Sequence, residues 1–316
     1  MKFVSCNHNG RVLAGLWLDT AVLDLAAAAR LAAAHPSADQ MPTSADPGRA
    51  FESVLAIIRG GDAALHAVRR LADRQAEFPS ALLPSTAVQL LAPIPAPVRN
   101  IFCVGRNYLD HVKEGYAKAG TEVKLPAVPQ FFTKSTGAVN SPYGDVRLDE
   151  RLTKLLDYEV ELAVVIGRSG RDIARERAEE HIFGYTVAND FTARDLQRRH
   201  EQWFKGKSLD TTCPLGPWIV DRGSLGELSN LELTLTVNGE ERQRARVAQM
   251  IFDVPAIIAS LSAGMTLEAG DIIATGTPAG VGYAMTPSRA LANGDLVVAA
   301  IDRIGELRNR VVAVAS

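Results

Sequence analysis

The stretch Leu156 to Arg168, LDYEVELAVVIGR, constrains the fold more than any other. From Leu162 to Ile166 it is apolar at every position, so a strand here needs cover on both faces. Just before that, Asp157, Glu159 and Glu161 occupy every second position, and period-two alternation aims all three to one side. Same-face neighbours on a strand lie about 6.5–7 Å apart along the chain. Two glutamates at that spacing repel unless a cation sits between them, and burying an uncompensated carboxylate is very costly. A glutamate pair alone more often faces water on a half-exposed sheet. The doubly apolar continuation weighs against that and favours a metal site.

A further carboxylate follows in FGYTVANDFTARDLQ, where the apolar strand Phe183 to Ala188 runs into Asp190. Asp at such a junction usually caps the next helix, or it projects from the strand end into a site. Glu159, Glu161 and Asp190 are oxygen donors with no His or Cys beside them in sequence. That donor set suits Mg²⁺ or Mn²⁺ better than zinc.

Short β-like runs rich in Val, Ile, Phe and Thr recur at 101–104, 130–133, 158–166, 183–188, 217–220, 231–237, 271–275 and 296–301. Helical periodicity between them is confined to about 108–118, 174–181, 192–200 and 252–261. Strands outnumber crossover helices, which argues against a doubly wound parallel sheet. The expected class is α+β, mostly β. Residues 1–95 differ from the rest, with strands around an Asn9-Gly10 hairpin turn and Ala-rich helical patterning near 25–34 and 50–73. The segment LLAPIPAPVRN, with Pro93, Pro95 and Pro97, cannot continue a helix and reads as a linker. A small N-terminal α/β domain over 1–95 and a second domain over 96–316 are expected.

Bulk properties exclude several classes. With 22% charged residues, a net charge of -2 and no dense Lys/Arg run, the chain advertises neither nucleic acid nor an anionic membrane as partner. No apolar run reaches the ~18 residues of a spanning helix, and the N-terminus has no secretory apolar core. Cys6, Cys103 and Cys213 are scattered without CxxC spacing, which argues against a disulfide framework or a thiolate zinc site. A reduced, cytoplasmic protein is expected.

Three more segments carry chemistry. In HEQWFKGKSLDTTCPLGPWIV, Gly206-Lys207-Ser208 invites a phosphate-loop reading, but that motif needs Gly where Glu201 stands. Lys207 among Trp203, Phe204 and Leu209 is an unusual setting for a surface lysine. Beside an anionic metal site it would hold a substrate carboxylate or a developing enolate. The loop in DIIATGTPAGVG lacks dinucleotide spacing. Its glycines, Gly276 among them, would let backbone N–H groups approach an anion, with Thr275 or Thr277 adding a hydroxyl, although a plain turn explains them equally well. In VGRNYLDHVKEGY, His111 and Glu114 share a helix face, so the carboxylate can orient the imidazole as a general base. Exposed pairs of that kind are common and inert. Arg106 nearby could pair with a carboxylate substrate. His8, His35, His66, His181 and His200 show no partner pattern and read as structural or solvated.

The ordered set GRNYLDH, DYEVELAVVIG, GYTVANDFTARDLQ, QWFKGKSLDTTCPLGPWIV and TGTPAGVG resembles the fumarylacetoacetate hydrolase family, nearly end to end over residues 100–316. The resemblance implies a β-roll catalytic domain, a homodimer and a divalent metal, Mg²⁺ or Mn²⁺. It implies Glu159, Glu161 and Asp190 as metal ligands, and Lys207, Gln197 and Thr277 as substrate contacts. It makes His111 and Glu114 the water-activating dyad, with a lid over 115–129 that sets substrate choice. Phe191 and Leu209 depart from residues common in such proteins, a change of packing more than of chemistry.

On this footing the leading expectation is hydrolysis of a carbon–carbon bond in a small 2,4-dioxo acid, such as an acylpyruvate. The alternative is decarboxylation or enol–keto isomerisation of a 2-oxo acid such as oxaloacetate on the same site. A non-catalytic scaffold is a third possibility, opposed by retention of the three carboxylates and Lys207.

Overall fold

The computed structural model describes residues 1–34 and 46–314; His35 lies outside them. The N-terminal part contains β1 (Lys2–His8), β2 (Arg11–Trp17), β3 (Ala21–Asp24), α1 (Leu25–Ala33), α2 (Val54–Arg59) and α3 (Gly61–Asp73). The expected hairpin forms: His8 pairs with Arg11, and Asn9 and Gly10 take φ of 52° and 81°, as a two-residue turn requires. Helical patterning over 50–73 resolves into two helices that break at Gly60-Gly61, where Gly61 takes φ 57°.

Beyond the prolines come β4 (Ile101–Gly105), α4 (Leu109–Ala119), β5 (Gln130–Lys134), β6 (Val160–Ile166), β7 (Ile182–Asn189), α5 (Arg194–Arg199), α6 (Phe204–Lys207) and β8 (Cys213–Asp221). They are followed by β9 (Glu232–Val237), β10 (Glu240–Arg246), α7 (Val254–Ser262), β11 (Ile272–Ala274), β12 (Leu296–Ile301) and β13 (Gly305–Ala313). Strands β10 and β13 were not expected. Each carries an amide at a buried position, Gln243 and Asn309, which interrupts the apolar half of the period-two pattern.

The large sheet runs β3-β2-β1-β8-β7-β6-β11-β4-β5, antiparallel except where β11 meets β4. A second sheet, β10-β9-β12-β13, packs against it. The alternation of β6 explains its sequence. Val160, Leu162, Val164 and Ile166 enter a core with Leu233, Leu235, Val297 and Leu307 of the second sheet. Ala163 and Val165 enter another core with Phe3, Leu16, Phe51 and Ile57 of the N-terminal part. The strand is covered on both faces, as its apolar run demands. The architecture is mixed α+β, and the first 95 residues share the large sheet with the rest through β1–β8 pairing. Among the described residues, no helix is long and apolar enough to cross a membrane.

Candidate active site

The carboxylates lie where β6 and β7 begin and end side by side. Val160 pairs with Asn189, so Glu159 and Glu161 flank the register position next to Asp190. The backbone N–H of Asp190 donates to the carbonyl of Glu159 at 2.8 Å, locking the two strand ends together. Glu159, Glu161 and Asp190 are all buried, and one oxygen from each lies within 4.8 Å of the others. Asp190 does not cap α5; that helix starts four residues later, after Ala193, with no side-chain cap.

Lys207 is 2% exposed, and its Nζ donates to Glu159 Oε2 at 2.6 Å and Asp190 Oδ2 at 2.7 Å. It also faces the Phe132 ring at 5.1 Å. Burial alone would lower the Lys207 ammonium, but Asp190 and Glu159 outweigh it and hold the group well above its ordinary range. Burial alone would raise the Glu159 carboxyl, but Lys207 and Arg194 outweigh it and bring it to about 2. Glu161 differs: burial, then Asp190 and Glu159, push its carboxyl well above the usual range. Among the described residues its carboxyl has one hydrogen bond, from the Gly276 N–H at 2.8 Å, and no Lys or Arg pairs with it. Hence the cluster carries a buried carboxylate whose charge its protein neighbours do not match, and a hard divalent cation fits this donor set.

Two cations in this cluster escaped the sequence reading. Lys134, 0% exposed at the end of β5, donates to Asp190 Oδ1 at 2.7 Å and to the Phe191 carbonyl. Arg194 donates through Nε to Asp157 Oδ2 at 2.9 Å and pairs with Glu159 Oε1 at 2.6 Å. The signal was a single Lys closing the aromatic strand QFFTK and an Arg inside the quoted TARDLQ. Asp157 also accepts from the Gly282 and Tyr283 N–H groups, so it braces the glycine-rich loop rather than joining the carboxylate cluster.

A cavity of about 540 Å³ opens over the cluster. Arg106, His111, Glu159, Glu161, Gln197, Lys207 and Thr277 line it, with Arg194, Arg198 and Tyr283. Most of the expected site residues are thus brought to one place. The dyad forms, with His111 Nδ1 2.8 Å from Glu114 Oε1, and Glu114 Oε2 accepts from the Gly280 N–H at 2.9 Å. Gly276 departs from expectation: its N–H serves Glu161 and is not turned to a substrate. Of the expected lid, 115–119 is the last part of α4, and the exposed stretch that follows has no regular structure.

A family model described as "Fumarylacetoacetate (FAA) hydrolase C-terminal" matches residues 100–312. The chain is 48% identical over 263 residues to oxaloacetate tautomerase YisK of Bacillus subtilis, covering 82% of this chain and 86% of that protein. A fumarylacetoacetate hydrolase structure from Exiguobacterium antarcticum superposes with a TM-score of 0.78 at 37% identity, covering 99% of this chain and 100% of the other. Maleylpyruvate hydrolase from Sphingobium sp. SYK-6, in complex with manganese(II) and pyruvate, superposes with a TM-score of 0.73 at 29% identity over 100% of both chains.

Proposed function

Because the chain belongs to the fumarylacetoacetate hydrolase family, we propose that it is a divalent-metal-dependent tautomerase of a short 2-oxo dicarboxylic acid of the oxaloacetate type. The observation that carries this reading is the 48% identity to an oxaloacetate tautomerase. It replaces hydrolysis as the leading reading. Glu159, Glu161 and Asp190 would hold the divalent ion, Mg²⁺ or Mn²⁺. When bound, such an ion supplies Lewis acidity toward the oxygens of a 2-oxo acid and lowers the cost of enolate charge.

The chain's own residues do the rest. Lys207 places a fixed positive charge beside the carboxylate cluster, where it stabilises an enolate oxygen. Glu114 accepts from His111 Nδ1, which leaves Nε2 to take the proton from the enol hydroxyl on C2 and deliver it to C3, the other carbon of the enol double bond. Arg106, Gln197 and Thr277 grip the substrate's carboxylates, while Gly276 steadies Glu161. Decay of enol-oxaloacetate, followed by ultraviolet absorbance with Mg²⁺ or Mn²⁺ present, tests this. The native protein is expected to accelerate it, chelation to abolish the effect, and His111→Ala to lower kcat by roughly 10²–10⁴-fold. A His111→Ala variant as fast as the native protein would contradict the assignment.

The formed His111–Glu114 pair keeps a second reading in play. Hydrolysis of a 2,4-dioxo acid would use the same imidazole to deprotonate a water, and the maleylpyruvate hydrolase likeness supports it. A homodimer also belongs to this proposal; light scattering on the purified protein checks it.

A further inference from the structure

We propose that Gln243 is the positioning residue that makes the Thr277 hydroxyl a hydrogen-bond donor toward the substrate. The inference rests on the reading of Thr277 as a substrate contact. Gln243 lies on β10, a strand of the second sheet outside the resemblance-bearing motifs, in the charged run EERQRAR. It is 1% exposed, flanked by Arg242 and the exposed Arg244. The β9–β10 register shifts beside it: Leu235 pairs with Gln243, but Thr236 pairs with Glu241, leaving Arg242 as an extra residue. Such bulges re-aim side chains next to functional sites.

Every polar atom of the Gln243 amide is used. Oε1 accepts from the Val160 N–H at 3.0 Å, and Nε2 donates to the Pro278 carbonyl and to Thr277 Oγ1, both at 2.8 Å. The orientation follows from its partners, because a backbone N–H only donates and a carbonyl only accepts. Thr277 Oγ1 therefore receives a hydrogen from Gln243, and its own hydrogen is left for an acceptor in the cavity it lines. A carboxylate or carbonyl oxygen matches that polarity; a donor group does not. The same side chain also fixes Val160, the residue between Glu159 and Glu161, so one amide ties the carboxylate strand to the substrate loop.

The bulge is fitted to that loop from a second side. Gly280 takes φ 104°, and a Cβ there would meet the Arg242 carbonyl oxygen at 1.9 Å. The loop that carries Thr277 rests on the bulge, and its Gly280 N–H reaches Glu114.

Oxalate, a non-reacting 2-oxo acid mimic, is the probe, titrated calorimetrically into the Mn²⁺-loaded protein. Gln243→Glu keeps an acceptor for Val160 but removes the donor to Thr277. Its oxalate Kd is expected to rise about tenfold, with Mn²⁺ affinity changed less than threefold and a larger effect on KM than on kcat. On a Thr277→Val background the same substitution is expected to change oxalate affinity less than twofold, since neighbours acting through one contact are not additive. Thr277→Val alone covers the case where Gln243→Glu does not fold, because it too is expected to weaken oxalate about tenfold. Unchanged oxalate binding in either single variant, or equal losses from Gln243→Glu with and without Thr277, would overturn the proposal. Oxalate binding does not depend on the reaction: a protein that binds oxalate as described but leaves enol-oxaloacetate untouched would refute the tautomerase reading alone.

Discussion

Lys207, Lys134 and Arg194 place three buried cations against Glu159, Asp190 and Asp157, while among the described residues Glu161 has one backbone donor and no cation. Such pairing matches the charge of three carboxylates and leaves that of the fourth, Glu161, unmatched. Glu161→Gln keeps the acceptor for Gly276 but removes that charge. Mn²⁺ affinity measured by calorimetry is expected to fall by more than about 100-fold, while the melting temperature of the metal-free protein stays level or rises. The thiols give a separate check at this scale. Burial raises Cys6 to about 11 and Cys213 to about 12, and raises Cys103 too. A pKa raised by burial means almost no thiolate at pH 8, so an aromatic disulfide reagent is expected to titrate no thiol until denaturant is added. The carboxylate cluster was legible because period-two spacing inside an apolar run has few physical solutions. Its counter-cations were not, because Lys134 and Arg194 gain meaning only when distant strands bring Asp190 and Asp157 to them.

The short helices α5 and α6, which carry Gln197 and Lys207, fix those side chains by packing on each other. They pack so closely that a Cβ on Gly206 would lie 2.5 Å from the Gln197 backbone nitrogen. Gly206→Ala is therefore expected to push α6 away, cost about 1–3 kcal/mol of stability, and displace Lys207 from Glu159 and Asp190. Thermal melting and the kcat of enol decay would both fall. Helix α4 is held differently, through Glu114 to the Gly280 N–H and Lys118 Nζ to the Met285 carbonyl at 3.0 Å. Glu114 thus joins the helix to the loop as well as orienting His111. Most elements stood near their expected places because hydrophobic period and turn chemistry agree there. β10 and β13 hid because the buried positions Gln243 and Asn309 are amides, and Gln243 is aimed at Thr277 beside a bulge that no local pattern announces.

At the scale of the molecule, the large sheet crosses the Pro93–Pro97 segment without interruption. We propose that residues 1–95 and 96–316 are two lobes that fold as one unit. Phe3 pairs with Ile219, and the core that holds Ala163 and Val165 draws Leu16, Phe51 and Ile57 from the first lobe. A chain starting at residue 96 would leave the edge of β8 unpaired and this apolar face uncovered, a combination that drives aggregation. It is expected to be recovered as insoluble or aggregated material by size-exclusion chromatography, while the full chain melts in one transition. The composition contrast that separates the lobes in sequence marks a change of local structure, and strand pairing across 200 residues could not be read from it.

Tautomerisation over the Glu159–Glu161–Asp190 cluster leaves the carbon skeleton of the substrate intact, whereas hydrolysis there would break it. The most direct measurement compares kcat/KM, with Mg²⁺ and with Mn²⁺, for ketonisation of enol-oxaloacetate and for pyruvate release from a panel of 2,4-dioxo acids. Tautomerisation is expected to exceed every hydrolytic rate by at least about 100-fold and to vanish on chelation. Rapid pyruvate release from an acylpyruvate, with no acceleration of enol decay, would contradict it.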